Sequence, residues 1–227
     1  MTEQKQQKKA IIVGGHGKVA LLAAPLLARE GYAVSSVIRK EEQADDVRAA
    51  QATPVVADVQ AMGVEELAEL FAGQDAIVWS AGAGGGDPER TYAVDRDAAI
   101  RSMEAADRAG VKRYVMVSWV GSVPRHGVPE SEDFFSYADA KLQADDYLRG
   151  TDLDWTILGP STLSAESGDG RIELLAPQDE WREKGGTASR ENVAKAIVES
   201  LNGAAVRKFV RFNDGPVPLA EALRAAR

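Results

Sequence analysis

Short β-like runs, several of them almost entirely apolar, alternate along this chain with stretches in which apolar positions return every three or four residues. The runs fall at 10–13, 33–38, 54–57, 76–80, 113–118, 155–158 and 208–212. A strand with one wet face alternates apolar and polar residues, so runs this uniform predict strands covered on both faces, as in a parallel sheet. Between the first two runs Val19, Leu22, Ala23 and Leu26 keep helical spacing, and after the fourth so do Tyr92, Ala99, Met103 and Ala106. Strand and helix in regular alternation predict an α/β chain, doubly wound around a mainly parallel sheet, in a single domain over 10–227. Pro25 inside the first helix removes a ladder bond and predicts a bend there.

Two stretches, 119–133 and 160–187, carry no clear period. Each follows a predicted strand, so each should emerge at the carboxyl edge of the sheet, where open α/β folds bind ligands. They are candidate substrate loops, with ordinary variable surface loops as the alternative. Residues 1–9 are polar and glutamine-rich, which predicts a disordered tail and neither a signal peptide nor a membrane span. No apolar stretch elsewhere has membrane length, so the expectation is a soluble, cytoplasmic chain.

Composition narrows the partners. A length of 227 residues suits one complete α/β domain. Lys+Arg 27 against Asp+Glu 35 gives a net charge of -8, which opposes nucleic-acid binding. With no cysteine and only His16 and His126 as imidazoles, thiolate zinc sites, disulfides and cysteine nucleophiles are excluded and no metal is expected. Oligomeric state is not legible.

The candidate chemistry begins where the first strand runs into Gly14-Gly15-His16-Gly17-Lys18-Val19-Ala20. A strand, a glycine turn and an immediate helix aim unpaired amides and a positive dipole end at one point, which suits a pyrophosphate. The GxxGxxA spacing of Gly14, Gly17 and Ala20 permits the tight turn, close approach of phosphate and helix-on-strand packing, the pattern of a Rossmann-type dinucleotide site. A P-loop is excluded, because Gly17-Lys18 is followed by Val19 and Ile12 stands where its first glycine belongs. After the second strand comes Arg39. A guanidinium there pairs with a 2′-phosphate, favouring NADP with NAD still possible; the alternative is an exposed charge. Asp58, followed by Val59, would accept from the adenine amino group or cap the next segment. Ser80-Ala81-Gly82 has small side chains that let main chain pass close beneath the nicotinamide ribose.

Ser118 ends the fifth run, and Tyr137 and Lys141 follow one helical turn apart. Four residues apart on one helix face, the ammonium would favour the ionised phenol and bring its pKa toward neutrality. Ser118 would hold the substrate oxygen. A Tyr/Lys pair at this spacing is also common on solvated faces, so the reading depends on the company it keeps.

Taken together these residues resemble the short-chain dehydrogenase/reductase superfamily in its atypical, NmrA-like or NAD(P)-binding-epimerase-like branch. The resemblance spans nearly the whole chain and is carried by 14–20, 104–118, 137–148, Trp155-Thr156-Ile157-Leu158-Gly159-Pro160, and 189–194. It implies a Rossmann sheet, NAD(P) along its carboxyl edge with Lys141 and Pro160 beside it, and Ser118, Tyr137 and Lys141 as catalytic residues. Asp95 matches a place where relatives carry a polar residue near the cofactor. Two departures stand out. Gly159 replaces a common arginine before Pro160, so a loop brace or anion contact is missing, and Trp119 crowds or shields the substrate side. The region after Pro160 is short for a nucleotide-sugar substrate. The resulting expectation is an NADP-dependent oxidoreductase acting on a small carbonyl or alcohol, with a non-catalytic dinucleotide sensor or an epimerase/dehydratase as alternatives.

Overall fold

The computed structural model of the chain describes residues 7–84, 87–176 and 180–226. Most of the predicted tail, two glycines of the 81–86 run and three residues of the second loop lie outside the described residues. Lys9, assigned above to the tail, instead opens the first strand.

In order, the elements are β1 (Lys9–Val13), α1 (Lys18–Arg29), β2 (Ala33–Ile38), α2 (Ala44–Ala49), β3 (Thr53–Val56), α3 (Val64–Phe71) and β4 (Ala76–Trp79). Next come α4 (Pro88–Thr91), a π-helical stretch Tyr92–Ala98, α5 (Ala99–Arg108), β5 (Arg113–Val117), α6 (Phe135–Arg149) and β6 (Asp154–Pro160). The chain closes with β7 (Thr162–Ser164), β8 (Arg171–Leu174), α7 (Trp181–Lys184), β9 (Thr187–Ser189), α8 (Arg190–Leu201), β10 (Lys208–Asp214), β11 (Val217–Pro218) and α9 (Leu219–Ala225).

The main sheet has the order β11-β8-β10-β6-β5-β4-β1-β2-β3. The strands matching the seven apolar runs are parallel, and β8 and β11 extend the sheet antiparallel beyond β10. From β1 the chain winds outward through β2 and β3, then returns to the other side of β1 with β4. The crevice at this reversal is where such sheets receive ligands.

Both faces are covered. Along β1, Ala10 and Ile12 join the core beneath α1 and α8, whereas Ile11 and Val13 join the core beneath α3, α5 and α6. The expected α1 stripe is shifted. The buried set is Val19, Ala20, Ala23, Ala24 and Leu27, and Leu22 is 36% exposed. Small residues on that face let α1 lie close to α8. α1 continues through Pro25 as one helix.

The stretch 160–187, read above as irregular, holds β7, β8, α7 and the start of β9, with β7 pairing β9 in a small second sheet. Its strands are short and half-exposed, too brief to register a period. Residues 119–133 contain no helix or strand.

Candidate active site

The glycine turn is fixed by close contacts. Gly14 has φ +86, and a Cβ there would lie 2.7 Å from the Ala81 Cα, so only glycine lets β1 turn beneath the loop after β4. Gly15 N donates to Val37 O at 2.8 Å and Gly17 N to Gly14 O at 2.9 Å, closing the turn. Gly17 caps α1 without a side-chain hydrogen bond, and the first intrahelical bond is Leu21 N to Gly17 O. The amides of Lys18, Val19 and Ala20 are thereby left at the helix mouth. This arrangement fits a diphosphate: uncapped donors, a positive dipole end and a cradle that any side chain would fill.

Gly14, His16, Gly17, Arg39, Asp58, Val59, Ser80, Ala81 and Gly82 line one cleft above this turn. Gly15 packs against Ser36 beneath it, and Val19 is buried in the helix start. His16 receives Gln43 Nε2 on Nδ1 at 3.2 Å and reaches Asp46 Oδ2 through Nε2 at 2.8 Å, which assigns the proton to Nε2. Gln43 Oε1 accepts from the amides of Arg39 and Lys40 at 3.2 and 3.3 Å, ordering the segment that carries Arg39 at the exposed rim. Among the polar lining residues Gln43, Gln60 and Arg90 escaped the sequence reading. Arg90 enters from α4, after a glycine-rich stretch that offered no signal of where the cation would land.

Beyond Gly82 the cleft meets a buried ionic chain. Asp95 Oδ2 accepts from Ala83 N at 2.8 Å, and its Oδ1 lies 3.4 Å from Lys141 Nζ, both side chains at most 3% exposed. The π-helical stretch turns Asp95 inward; such segments gather at functional sites. Lys141 Nζ also donates to Val117 O at 3.1 Å and sits 6.0 Å from the centre of the Tyr137 ring. Burial pulls the Lys141 pKa down, but Asp95, Tyr137 and Asp145 outweigh it and the net direction is up, so the ammonium stays charged.

Two expectations are corrected here. Burial, the largest effect, raises the Tyr137 pKa, Lys141 lowers it, and Asp95 and Asp145 raise it again; the net direction is up, away from neutrality. Ser118 does not point a free hydroxyl at a substrate, since its Oγ donates to Asp145 Oδ2. Asp145 was missed, although its position one turn beyond Lys141 on the face of α6 was a readable signal.

Past Tyr137 opens a second cavity, lined by Ser118, Trp119, Tyr137, Pro160 and Trp181 among others. Pro160 lies here, apart from the cleft residues. Trp119 is 7% exposed and meets Phe134 and Trp181 edge-on at centroid distances of 5.0 and 4.9 Å. Of the two expectations, crowding or shielding, the structure matches the second, with Trp119 forming a wall of the cavity. Trp181 Nε1 in turn donates to His126 O at 2.9 Å. The expected loss of a brace at Gly159 is also corrected. Arg211, register partner of Gly159 on β10, is buried and donates Nε to Val120 O at 2.7 Å and Nη1 to Ala176 O at 2.9 Å. An added Cβ on Gly159 would lie 2.5 Å from the Phe209 ring, so a larger residue does not fit, and the guanidinium comes from the neighbouring strand.

Among the described residues no helix is long and apolar enough to cross a membrane. The family of NAD(P)H-binding proteins matches residues 14–204. The chain is 34% identical over 219 residues to the UPF0659 protein YMR090W of Saccharomyces cerevisiae, covering 93% of this chain and 95% of that one. It is 33% identical to the uncharacterized sugar epimerase YhfK of Bacillus subtilis, over 95% of this chain and 99% of that one. A solved structure from Bacillus halodurans, provisionally named an NAD-dependent epimerase/dehydratase, superposes with a TM-score of 0.87 at 31% identity, covering 96% of this chain and 99% of that one. Glycine turn, switch-point cleft and sheet order agree with these matches, and the chain belongs to the family of NAD(P)H-binding proteins.

Proposed function

We propose that this protein is an NADP-dependent oxidoreductase that moves hydride to or from a small, flat carbonyl or alcohol compound. One observation carries the reading: the phenol of Tyr137 belongs to the wall of the aromatic cavity while Lys141, one turn away, is linked through Asp95 to the floor of the dinucleotide cleft. The amides of Lys18, Val19 and Ala20 would hold the diphosphate, Arg39 a 2′-phosphate and Asp58 the adenine. The coenzyme, when bound, supplies or accepts the hydride. Tyr137 gives its proton to the carbonyl oxygen in reduction and recovers it in oxidation. Its raised pKa keeps the phenol in the protonated form that reduction uses, while oxidation uses the phenolate, which Lys141 favours. Lys141 steadies the phenolate that remains. Trp119 and Trp181 exclude water and stack a planar substrate.

A second reading, a dinucleotide sensor without turnover, draws on the engagement of Lys141 with Asp95 and the Val117 carbonyl. The epimerase names of relatives point to a third, which an aromatic cavity suits poorly because sugars ask for dense polar contacts. The test is NADPH absorbance with a panel of aldehydes, ketones and quinones, repeated with Tyr137→Phe. Turnover lost in the variant with NADPH binding retained supports the oxidoreductase. Binding without turnover on any panel member favours the sensor.

A further inference from the structure

The face of α6 that carries Tyr137 and Lys141 continues one turn further to Asp145, which is fully buried. Ser118 Oγ and Ser122 Oγ both converge on Asp145 Oδ2, the latter at 2.5 Å, while Oδ1 has no hydrogen-bond partner among the described residues. An ionised carboxylate only accepts. With both hydroxyl protons turned to Oδ2, Ser118 offers the cavity lone pairs alone, and a substrate carbonyl also has only lone pairs. A protonated carboxyl reverses the chain: its O–H can be given to Ser118 Oγ, and the serine proton is then free to turn outward.

We propose that Asp145 is a positioning residue that sets the hydrogen-bond polarity of Ser118, its neutral form readying the site for carbonyl reduction and its ionised form for alcohol oxidation. The assignment rests on the oxidoreductase reading above. Asp145 exchanges no proton with the substrate. Tyr137 transfers the one that ends on oxygen, while the Asp145 and Ser118 protons only change direction. The neighbouring charges leave room for both forms. Lys141 and Arg149 on α6 favour the anion, but Lys141 is already paired to Asp95 at 3.4 Å from the π-helical stretch. Tyr137 on α6 and Tyr114 on β5, both within electrostatic reach, stay neutral at physiological pH with raised pKa values. Burial pushes the Asp145 carboxyl up, against the hydrogen bonds from Ser118 and Ser122 and the two cations, and the net direction is up.

The experiment measures kcat/KM in both directions against pH for the wild type, Asp145→Asn and Ser118→Ala, beside an infrared titration of the carboxyl band. In the wild type reduction should fall, and oxidation rise, as pH passes through the titration of a band absent from Asp145→Asn and lying above the usual aspartate range. Asp145→Asn, which no longer titrates and can give an amide N–H to Ser118 Oγ at every pH, should reduce carbonyls with that limb flattened and lose about tenfold in oxidation. Its NADPH affinity should be unchanged. Should it fail to fold, Ser118→Ala serves, since removing the hydroxyl should erase the same limb. Turnover with identical pH profiles in wild type and variants, or a carboxyl ionised throughout, would overturn this assignment alone. NADPH binding by the wild type with no turnover on any substrate would overturn the oxidoreductase reading, and the assignment with it.

Discussion

The dinucleotide cleft and the aromatic cavity are neighbours built by opposite means. The cleft is made of main chain: a glycine turn, uncapped helix amides and small residues after β4, all set by contacts between consecutive elements of a parallel sheet. The cavity is made of side chains brought from far apart, Trp119 against Trp181, and Arg211 braces it from outside by holding the carbonyl of Val120, one of its lining residues. A site made of backbone recognises what is common to many ligands, here a diphosphate. A site made of distant side chains is free to differ between relatives, and under the proposed function substrate choice resides there.

Substitutions in the two regions should therefore separate coenzyme binding from turnover. Gly14→Val places a branched side chain at φ +86 and against the Ala81 main chain, so NADPH binding by calorimetry should vanish and the melting temperature fall. Retained affinity would mean that the turn is not the anchor. Arg211→Met removes two charge-assisted bonds to buried carbonyls and should cost about 2–4 kcal/mol in denaturant unfolding. It should raise KM for the carbonyl substrate while leaving the NADPH dissociation constant within error; a weakened coenzyme would blur the division between the regions. Arg39→Asp should lower the NADP-to-NAD affinity ratio by about tenfold or more, with no change in KM for the second substrate. Smallest of all, Trp181→Ala should raise KM for flat aromatic substrates by several-fold and leave aliphatic aldehydes nearly unaffected, as an aromatic contact is worth about 0.5–1.5 kcal/mol.

The same contrast explains what could be read without a structure. Buried parallel strands must be apolar on both faces, so the seven runs located seven strands to within a residue or two, β6 and β10 being extended at their ends. The glycine turn is local in sequence, and Gly14, His16 and Gly17 line the cleft, whereas Gly15 and Val19 lie beneath it and Lys18 lines a separate hollow. Ser118, Tyr137 and Lys141 were picked out by strand end and helix spacing, and the fold brings them together, but their partners were not legible. The hydroxyl of Ser118 is claimed by a residue 27 positions away, and Arg211 reaches a carbonyl 91 positions away. The π-helical stretch leaves no mark on a pattern of apolar residues, yet it sets where Asp95 points. A phenol beside an ammonium suggested a lowered pKa because neither the burial of the phenol nor the nearby carboxylates is visible to spacing.

A crystal structure grown with NADP tests the meeting of the two regions directly. The account predicts the diphosphate on the amides of Lys18, Val19 and Ala20, the 2′-phosphate at Arg39, and the nicotinamide facing the cavity beside Tyr137. A nicotinamide directed away from Tyr137, or a diphosphate bound anywhere but the mouth of α1, would contradict it.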